Sequence, residues 1–334
     1  MIKAIHFKNF KALRDTTLPL GQLTLLIGPN GSGKTTALDA LTIRGCSVRG
    51  ALTAAPGVED GDEILIEMEW GGPFAGIKST LRGYDYGPTT PFEHGHDRAT
   101  NPREKDKAQV SERLDGARVY SFQADMLAKS VILKPAMELV TDGRGLAGVL
   151  DRLRDDHPER FDALNNEFAK WIPEFDRILF DTPQEGRRAL KFRTRQGQRA
   201  LPAGDISAGT LLALGILTLA YLPDPPPIIG LEEPGRGIHP RLMRDVRDAI
   251  YRLAYPESVG EDREPVQVVA TTHSPYLVDL FRDHPEEIVI ADKLEDNVRF
   301  TRLTDIPHYE EIIADATLGE VWYNGALGGV PAHR

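Results

Sequence analysis

The sequence predicts an α/β fold with a mixed central sheet, an antiparallel β subdomain and a helical lobe. Three observations predict it. First, Gly28-Pro29-Asn30-Gly31-Ser32-Gly33-Lys34-Thr35 fits the phosphate-binding P-loop pattern G-x-x-x-x-G-K-[S/T]. It lies between a buried-strand signal at residues 23–27 and a helix signal over roughly residues 34–42. Second, later short apolar runs at 228–231 and 266–270 end in polar residues and are separated by helical patterns, which argues a largely parallel sheet. Third, residues 63–70 alternate charge and bulk as a half-exposed antiparallel strand does, and 77–86 read as the hairpin partner.

The remaining elements follow in chain order. Residues 2–7 alternate loosely and are strand-like, and 16–27 carry two further strand signals around Gly21. Residues 87–116 are rich in Gly, Pro, His and charge with almost no apolar periodicity, so an exposed insertion loop is expected there. Its two histidines, His94 and His96, have no cysteine nearby and fit a solvated loop better than a metal site. Residues 118–122 return to strand, and Gln123 follows. Residues 126–138 mix loop and short helix, while 146–154 and 158–171 have helical spacing, with Pro158 suited to a first helical position. Residues 177–180 and 189–194 are short strands. An apolar helix at 211–221 is stopped by the prolines at 223–227, and 240–254 is an amphipathic helix. Residues 288–291 form a buried strand, and 298–303 a strand near an edge. The expected division is a nucleotide-binding lobe at 1–123, a helical lobe with connecting strands at 124–205, and a third lobe at 206–334.

Composition bounds the function. The 334 residues suffice for one large α/β domain or two lobes, and 41% hydrophobic with 27% charged residues is ordinary for a globular protein. A net charge of −10 argues against wholesale coating of nucleic acid and leaves room for a local basic patch. The lone cysteine, Cys46, permits no internal disulfide, fits a cytoplasmic setting and reads as a small buried hydrophobe. The N-terminus lacks a signal-peptide apolar stretch, and no internal repeat or low-complexity tract is present. The longest apolar run, 211–222, is well short of the about 20 residues that span a bilayer, so a soluble chain with no membrane segment is expected.

The chemistry begins at the P-loop. Glycines let backbone N–H groups converge on phosphate oxygens, because no Cβ blocks the approach. Lys34 supplies a point charge to the β- and γ-phosphates, and the Thr35 hydroxyl suits Mg²⁺. The candidate nucleotide contacts are Gly28, Asn30, Gly31, Ser32, Gly33, Lys34, Thr35 and Thr36, with the positive end of the following helix aimed at the anion. Ligands of open α/β sheets bind at the carboxyl ends of strands. Glu232 and Glu233 end one apolar strand, so Glu232 is a candidate Mg²⁺ contact and Glu233 a candidate for orienting or deprotonating the attacking water. His273 ends another, where an imidazole can hydrogen-bond the γ-phosphate and the lytic water. Ile206-Ser207-Ala208-Gly209-Thr210 precedes the apolar helix; it is either a capped core helix or an anion site built from free N–H groups.

In order, these segments resemble an ABC-class ATPase: P-loop, signature, Walker B and histidine switch. Ile206-Ser207-Ala208-Gly209-Thr210 is a degenerate match to the LSGGQ-type signature, and Gln123 stands where the class has its metal-contacting Q-loop glutamine. Residues 2–13, IKAIHFKNFKAL, resemble the opening strand and turn of the SMC/RecF/OLD branch, and Gly237-Ile238-His239-Pro240 is similar to that branch's segment after Walker B. The resemblance covers residues 1 to about 280 and implies a P-loop NTPase with an ABC-type head. The chain departs from the class in ending Walker B with Glu-Glu where Asp-Glu is usual, and it has no long heptad region for an SMC arm. Only about 50 residues follow Pro285, so a stand-alone ATPase without the TOPRIM nuclease domain of OLD proteins is expected.

The resemblance implies ATP and Mg²⁺ as ligands and a head-to-tail homodimer in which Ser207 and Gly209 of one chain face the P-loop of the other. The expected function is Mg²⁺-dependent ATP hydrolysis driving that dimer, serving a DNA-related process such as phage defence or repair. The alternative is a slow-turnover module that senses ATP or DNA and gates a separate effector, a toxin or nuclease. A transporter subunit fits less well, because the opening strand and the segment after Walker B point elsewhere. Arg187, Arg188, Lys191, Arg193, Arg195 and Arg199 cluster before the signature; they are either a solvated strand surface or a DNA contact.

Overall fold

The computed structural model describes residues 1–42, 62–84, 87–88, 93–96, 103–294, 297–314 and 316–329. Cys46 lies outside them. In chain order the strands are β1 (Ile2–Phe10), β2 (Leu13–Pro19), β3 (Leu23–Ile27), β4 (Ile64–Trp70), β5 (Ile77–Tyr84), β6 (Gly87–Pro88), β7 (Glu93–His96) and β8 (Arg118–Tyr120). They continue with β9 (Val131–Ile132), β10 (Phe175–Asp181), β11 (Arg187–Thr194), β12 (Ala200–Pro202), β13 (Ile228–Glu232), β14 (Gln267–Thr272), β15 (Ile288–Leu294) and β16 (Asn297–Arg302). The helices are α1 (Lys34–Thr42), α2 (Glu104–Asp115), α3 (Ala124–Leu127), α4 (Leu146–Asp156), α5 (Pro158–Trp171), α6 (Ala208–Tyr221), α7 (Met243–Ala254), α8 (Pro275–Asp279), α9 (Tyr309–Ile312) and α10 (Leu318–Tyr323).

Two compact units emerge, and both are discontinuous in sequence. One holds residues 1–119, 226–232 and 264–334; the other holds 120–225 and 233–263. Composition shifts point to three consecutive segments. The chain is divided differently because β13 and β14 belong to the sheet of the first unit, so the second unit is assembled from two excursions between its strands.

The first unit contains two sheets. One runs β16-β15-β3-β14-β13-β8, with β13, β14, β3 and β15 parallel and β16 antiparallel at the edge. β3 and β14 are buried along their whole length, including the polar Thr24, Gln267, Thr271 and Thr272. The other sheet is antiparallel in the order β2-β1-β4-β5-β6, with β7 also on β5. β4 alternates buried and half-buried residues, as its charge–bulk pattern predicts. The core between these elements includes Phe7, Phe10, Leu38, Ile66 and Trp70, and the Trp70 indole donates to Ser79 Oγ at 2.8 Å.

Residues 87–116 differ from the expected insertion loop. β6 and β7 pair with β5, and residues 104–115 form α2, whose Val110 and Leu114 enter the core. Two apolar residues one turn apart suffice, since tertiary packing rather than propensity holds a short amphipathic helix. Asp106 caps its start by accepting from the Arg103 N–H at 3.1 Å.

The second unit packs α4 and α5 beside the antiparallel sheet β10-β11-β12, where β9 also pairs with β11. Phe168, Phe175 and Phe192 cluster with ring centroids 5.6 to 6.4 Å apart. The apolar helix α6 lies against α7 and α5, burying Leu214, Leu217 and Leu219. Among the described residues, no helix is long and apolar enough to cross a membrane.

One buried side chain ties the first strand of the chain to the parallel sheet. Gln267 accepts from the Ile2 N–H at 2.8 Å and donates to the carbonyls of Ile2 at 2.6 Å and Gly21 at 2.9 Å. Gln267→Leu strips partners from buried backbone groups and is expected to cost about 2–4 kcal/mol. Urea unfolding checks this as an earlier first transition; an unchanged midpoint contradicts it.

Candidate functional site

The parallel register brings the site's residues to one edge. Leu26, Thr271, Glu232 and Val289 lie in one row, and Ile27, Thr272 and Ile290 in the next. Gly28 and His273 therefore leave the sheet at the same level, with Glu232 ending β13 close by in the ladder, while β15 runs on through Ala291 paired with β16. This is the carboxyl end of the strands, where open α/β sheets bind ligands.

The loop after β3 is shaped by glycine. Gly28, Gly31 and Gly33 have φ of 152°, 77° and 78°. At two of them space is also lacking: a Cβ at Gly28 would stand 2.3 Å from the Ala291 carbonyl oxygen, and one at Gly33 would stand 2.7 Å from Leu13 Cδ2. Ser32 is buried and donates to the Pro29 carbonyl at 2.8 Å. Lys34 is buried with its ammonium donating to the carbonyls of Gly28 at 2.7 Å and Pro29 at 2.8 Å, while Asn30, Gly31 and Thr35 are exposed. Thr36 is half-buried in the first turn of α1.

Thr35 Oγ1 donates to Glu232 Oε1 at 2.6 Å. The sequence separates these two residues by 197 positions. A hydroxyl and a carboxylate at this distance are both hard oxygen donors, the type Mg²⁺ takes. His273 keeps an exposed edge at the end of β14. Partial burial, and then the nearby Lys34 ammonium, hold its imidazole below the ordinary value, so the neutral ring is favoured at pH 7.

The other sequence-identified residues belong to the second unit. Gln123 is exposed at the N-cap of α3. Ser207 is exposed and caps α6, its Oγ accepting from the Thr210 N–H at 3.2 Å. Gly209 lies against the segment after Walker B: a Cβ there would be 2.6 Å from the Gly237 carbonyl oxygen. Glu233 is half-buried with φ of 49°, and its carbonyl accepts from the Arg236 N–H at 2.9 Å in the turn that follows. Sequence reasoning marks Glu233 for its carboxylate and gives no sign of its left-handed backbone.

The basic strand carries partners of its own. Arg193 makes a two-point bond to Asp176 at 2.8 and 3.0 Å, and Lys191 pairs with Asp181 at 2.8 Å. Arg188 pairs with the buried Asp151 at 3.0 Å, and Arg195 donates to the Pro173 carbonyl at 2.9 Å. The Arg187 Nε is buried. Arg188, Lys191, Arg193 and Arg195 thus have partners within the second unit. Arg193 holds the Asp176 carboxyl below its usual range, and Lys191 does the same for Asp181. Among the described residues, no group of three or more His, Cys, Asp or Glu side chains is placed to hold a metal ion.

A model of the family described as "AAA domain, putative AbiEii toxin, Type IV TA system" matches residues 23–279, and one described as "AAA ATPase domain" matches residues 1–43. The chain belongs to the first of these families. An OLD nuclease from Thermus scotoductus is 24% identical over 339 residues, which cover 88% of this chain and 62% of that protein. The chain thus spans less than two thirds of that relative's length. An SMC head bound to the C-winged helix domain of ScpA shares the fold with a TM-score of 0.60 at 14% identity, covering 90% of this chain and 97% of that one. The SMC head domain from Thermotoga maritima does so with a TM-score of 0.51 at 15% identity, covering 90% and 98%. By family and fold this AAA-domain chain is an SMC- and OLD-type, ABC-class P-loop ATPase.

His273 is expected to titrate below 6.5, its ordinary value. Because the Lys34 ammonium disfavours imidazolium, Lys34→Met should move the midpoint upward. NMR of the imidazole Cε1–H against pH reads both. A midpoint at or above the ordinary value in the intact protein, or no rise on removing Lys34, contradicts this account.

Proposed function

We propose that the chain hydrolyses ATP with Mg²⁺ and uses the nucleotide to switch a homodimer between closed and open states. The observation that carries this reading is the 2.6 Å contact between Thr35 Oγ1 and Glu232 Oε1, which joins the P-loop hydroxyl to the Walker B carboxylate. These two residues would hold Mg²⁺, which when bound supplies charge neutralisation at the phosphate oxygens, and Gln123 is the further metal contact that the Q-loop resemblance implies. The backbone N–H groups of the Gly28–Gly33 loop would cradle the phosphates, and Lys34 would exchange its two carbonyl partners for phosphate oxygens.

Glu233, next in the chain after Glu232, would orient the attacking water and accept its proton. As the oxygen bonds to the γ-phosphorus, the β–γ bridge breaks and ADP departs with the electron pair, leaving inorganic phosphate. His273, held neutral, would hydrogen-bond the γ-phosphate and the water. The exposed Ser207 and the first-turn N–H groups of α6 would meet the γ-phosphate bound to a second copy. Both sides would then be held by charge on ATP, and loss of the γ-phosphate would loosen the interface.

The OLD nuclease relative and the SMC head folds support a DNA-related process, such as phage defence or repair in the cytoplasm, as the task served. The family description names a toxin of a toxin–antitoxin system, and it favours a second reading: slow turnover that gates a separate effector.

Glu233→Gln should trap an ATP-bound dimer, seen by light scattering with Mg·ATP; a monomer under those conditions removes the switch. Phosphate release should be lost in Lys34→Ala. Stimulation of the wild type by duplex DNA supports the first reading, and tight ATP retention with little release supports the second.

A further inference from the structure

The segment 317–329 touches α8, which follows β14, and it touches β15; β14 and β15 flank the P-loop strand. At one end it meets α8, which begins two residues after His273. The Gly319 N–H donates to Asp279 Oδ1 at 2.6 Å, and a Cβ at Gly319 would lie 2.5 Å from the Pro275 carbonyl oxygen. α10 and α8 thus meet backbone to backbone, with Leu277, Val278, Leu318 and Trp322 buried. The start of α10 is fixed by a reciprocal cap between Thr317 and Glu320.

At its other end the segment reaches β15. The Gly329 N–H points at Asp292 Oδ1, 3.4 Å away, and a Cβ at Gly329 would lie 2.6 Å from Ile290 Cγ2. Ile290 pairs with Ile27, and the carbonyl oxygen of Ala291 is the atom that closes on Gly28. The sheet order β15-β3-β14 puts β3 between the strand that the segment touches and the strand that leads through His273 into α8.

A helix of five residues does not hold itself, because nucleation is costly and few bonds repay it. The Ser274 N–H donates to Thr272 Oγ1 at 3.0 Å across His273, and beyond Ser274 the chain's support on that side is α8, which α10 packs from outside. We infer that segment 317–329 is a brace that sets His273 against the P-loop, with Asp279 and Gly319 as its positioning residues. This rests on the reading of His273 as a partner of the γ-phosphate. The brace acts on placement, and misplacement of a catalytic group by about 1 Å can cost on the order of a hundredfold in rate.

The test uses the full chain and four variants: Gly319→Ala, Asp279→Leu, Asp279→Asn and His273→Gln. Gly319→Ala and Asp279→Leu should lower kcat for phosphate release by about tenfold to a hundredfold while KM for ATP stays within about twofold, as expected when an interaction made only in the transition state is weakened. The His273 NMR midpoint should rise in both, as the ring gains water. Asp279→Asn keeps an oxygen acceptor for the Gly319 N–H and should retain wild-type kcat and midpoint. Should Gly319→Ala fail to fold, the Leu and Asn pair at 279 decides alone. Folded Gly319→Ala and Asp279→Leu with wild-type kcat and midpoint overturn the brace. If His273→Gln turns over like the wild type, the assignment of His273 falls, and the midpoint shift still decides whether the segment positions the ring.

Discussion

In-register pairing of β13, β14, β3 and β15 is the constraint on which the site depends. Parallel strands share a direction, so the ladder carries the carboxyl ends of β13, β14 and β3 to the same edge, beside which β15 runs on. A slip of one residue in β13 would turn Glu232 to the opposite face and break its bond to Thr35. Full burial of β14 and β3 protects that register, because a slip would also unpack their core side chains.

The same edge is drawn tight by contacts that admit no side chain. Gly28 closes on the carbonyl of Ala291, so the loop after β3 is seated against β15 as well as held by its own turn. Lys34 is folded back onto the Gly28 and Pro29 carbonyls, which keeps a buried ammonium satisfied within the loop it serves. Burial first, and then that ammonium, depress the imidazole of His273, so two groups that follow different strands are electrostatically coupled before any ligand is considered. Gly209 shows the same economy in the second unit, where the signature segment lies on the backbone of Gly237.

Much of this was legible in the sequence, and the limits are physical. The helix expected at 34–42 spans Lys34–Thr42, and 158–171 forms Pro158–Trp171, because periodicity and proline placement are local signals. α2 was illegible because Val110 and Leu114 are its only buried residues, and a two-residue stripe amid charges looks like solvated loop. The pairing of the basic strand was illegible for a different reason. Asp176 and Asp181 lie on the neighbouring strand, and Asp151 on a helix, so counting charge along one strand cannot see what neutralises it. The strand at Gln267 is legible, yet its three bonds reach Ile2 and Gly21, 265 and 246 positions away, and no local pattern signals them.

The Glu-Glu end of β13 is where sequence and geometry bear on each other most closely. A glutamate in place of aspartate adds a methylene, and the added reach is compatible with contact, since Glu232 Oε1 meets Thr35 Oγ1 at 2.6 Å. The next residue bears the cost. Glu233 sits at φ of 49° immediately before Pro234, in a left-handed conformation that a side chain with a Cβ adopts at a cost of about 1 kcal/mol or more. Glycine or asparagine would relieve that strain, and neither carries a carboxylate. The turn alone therefore does not account for a glutamate there, and the strain falls on a carboxylate-bearing residue that directly follows Glu232 at the strand end.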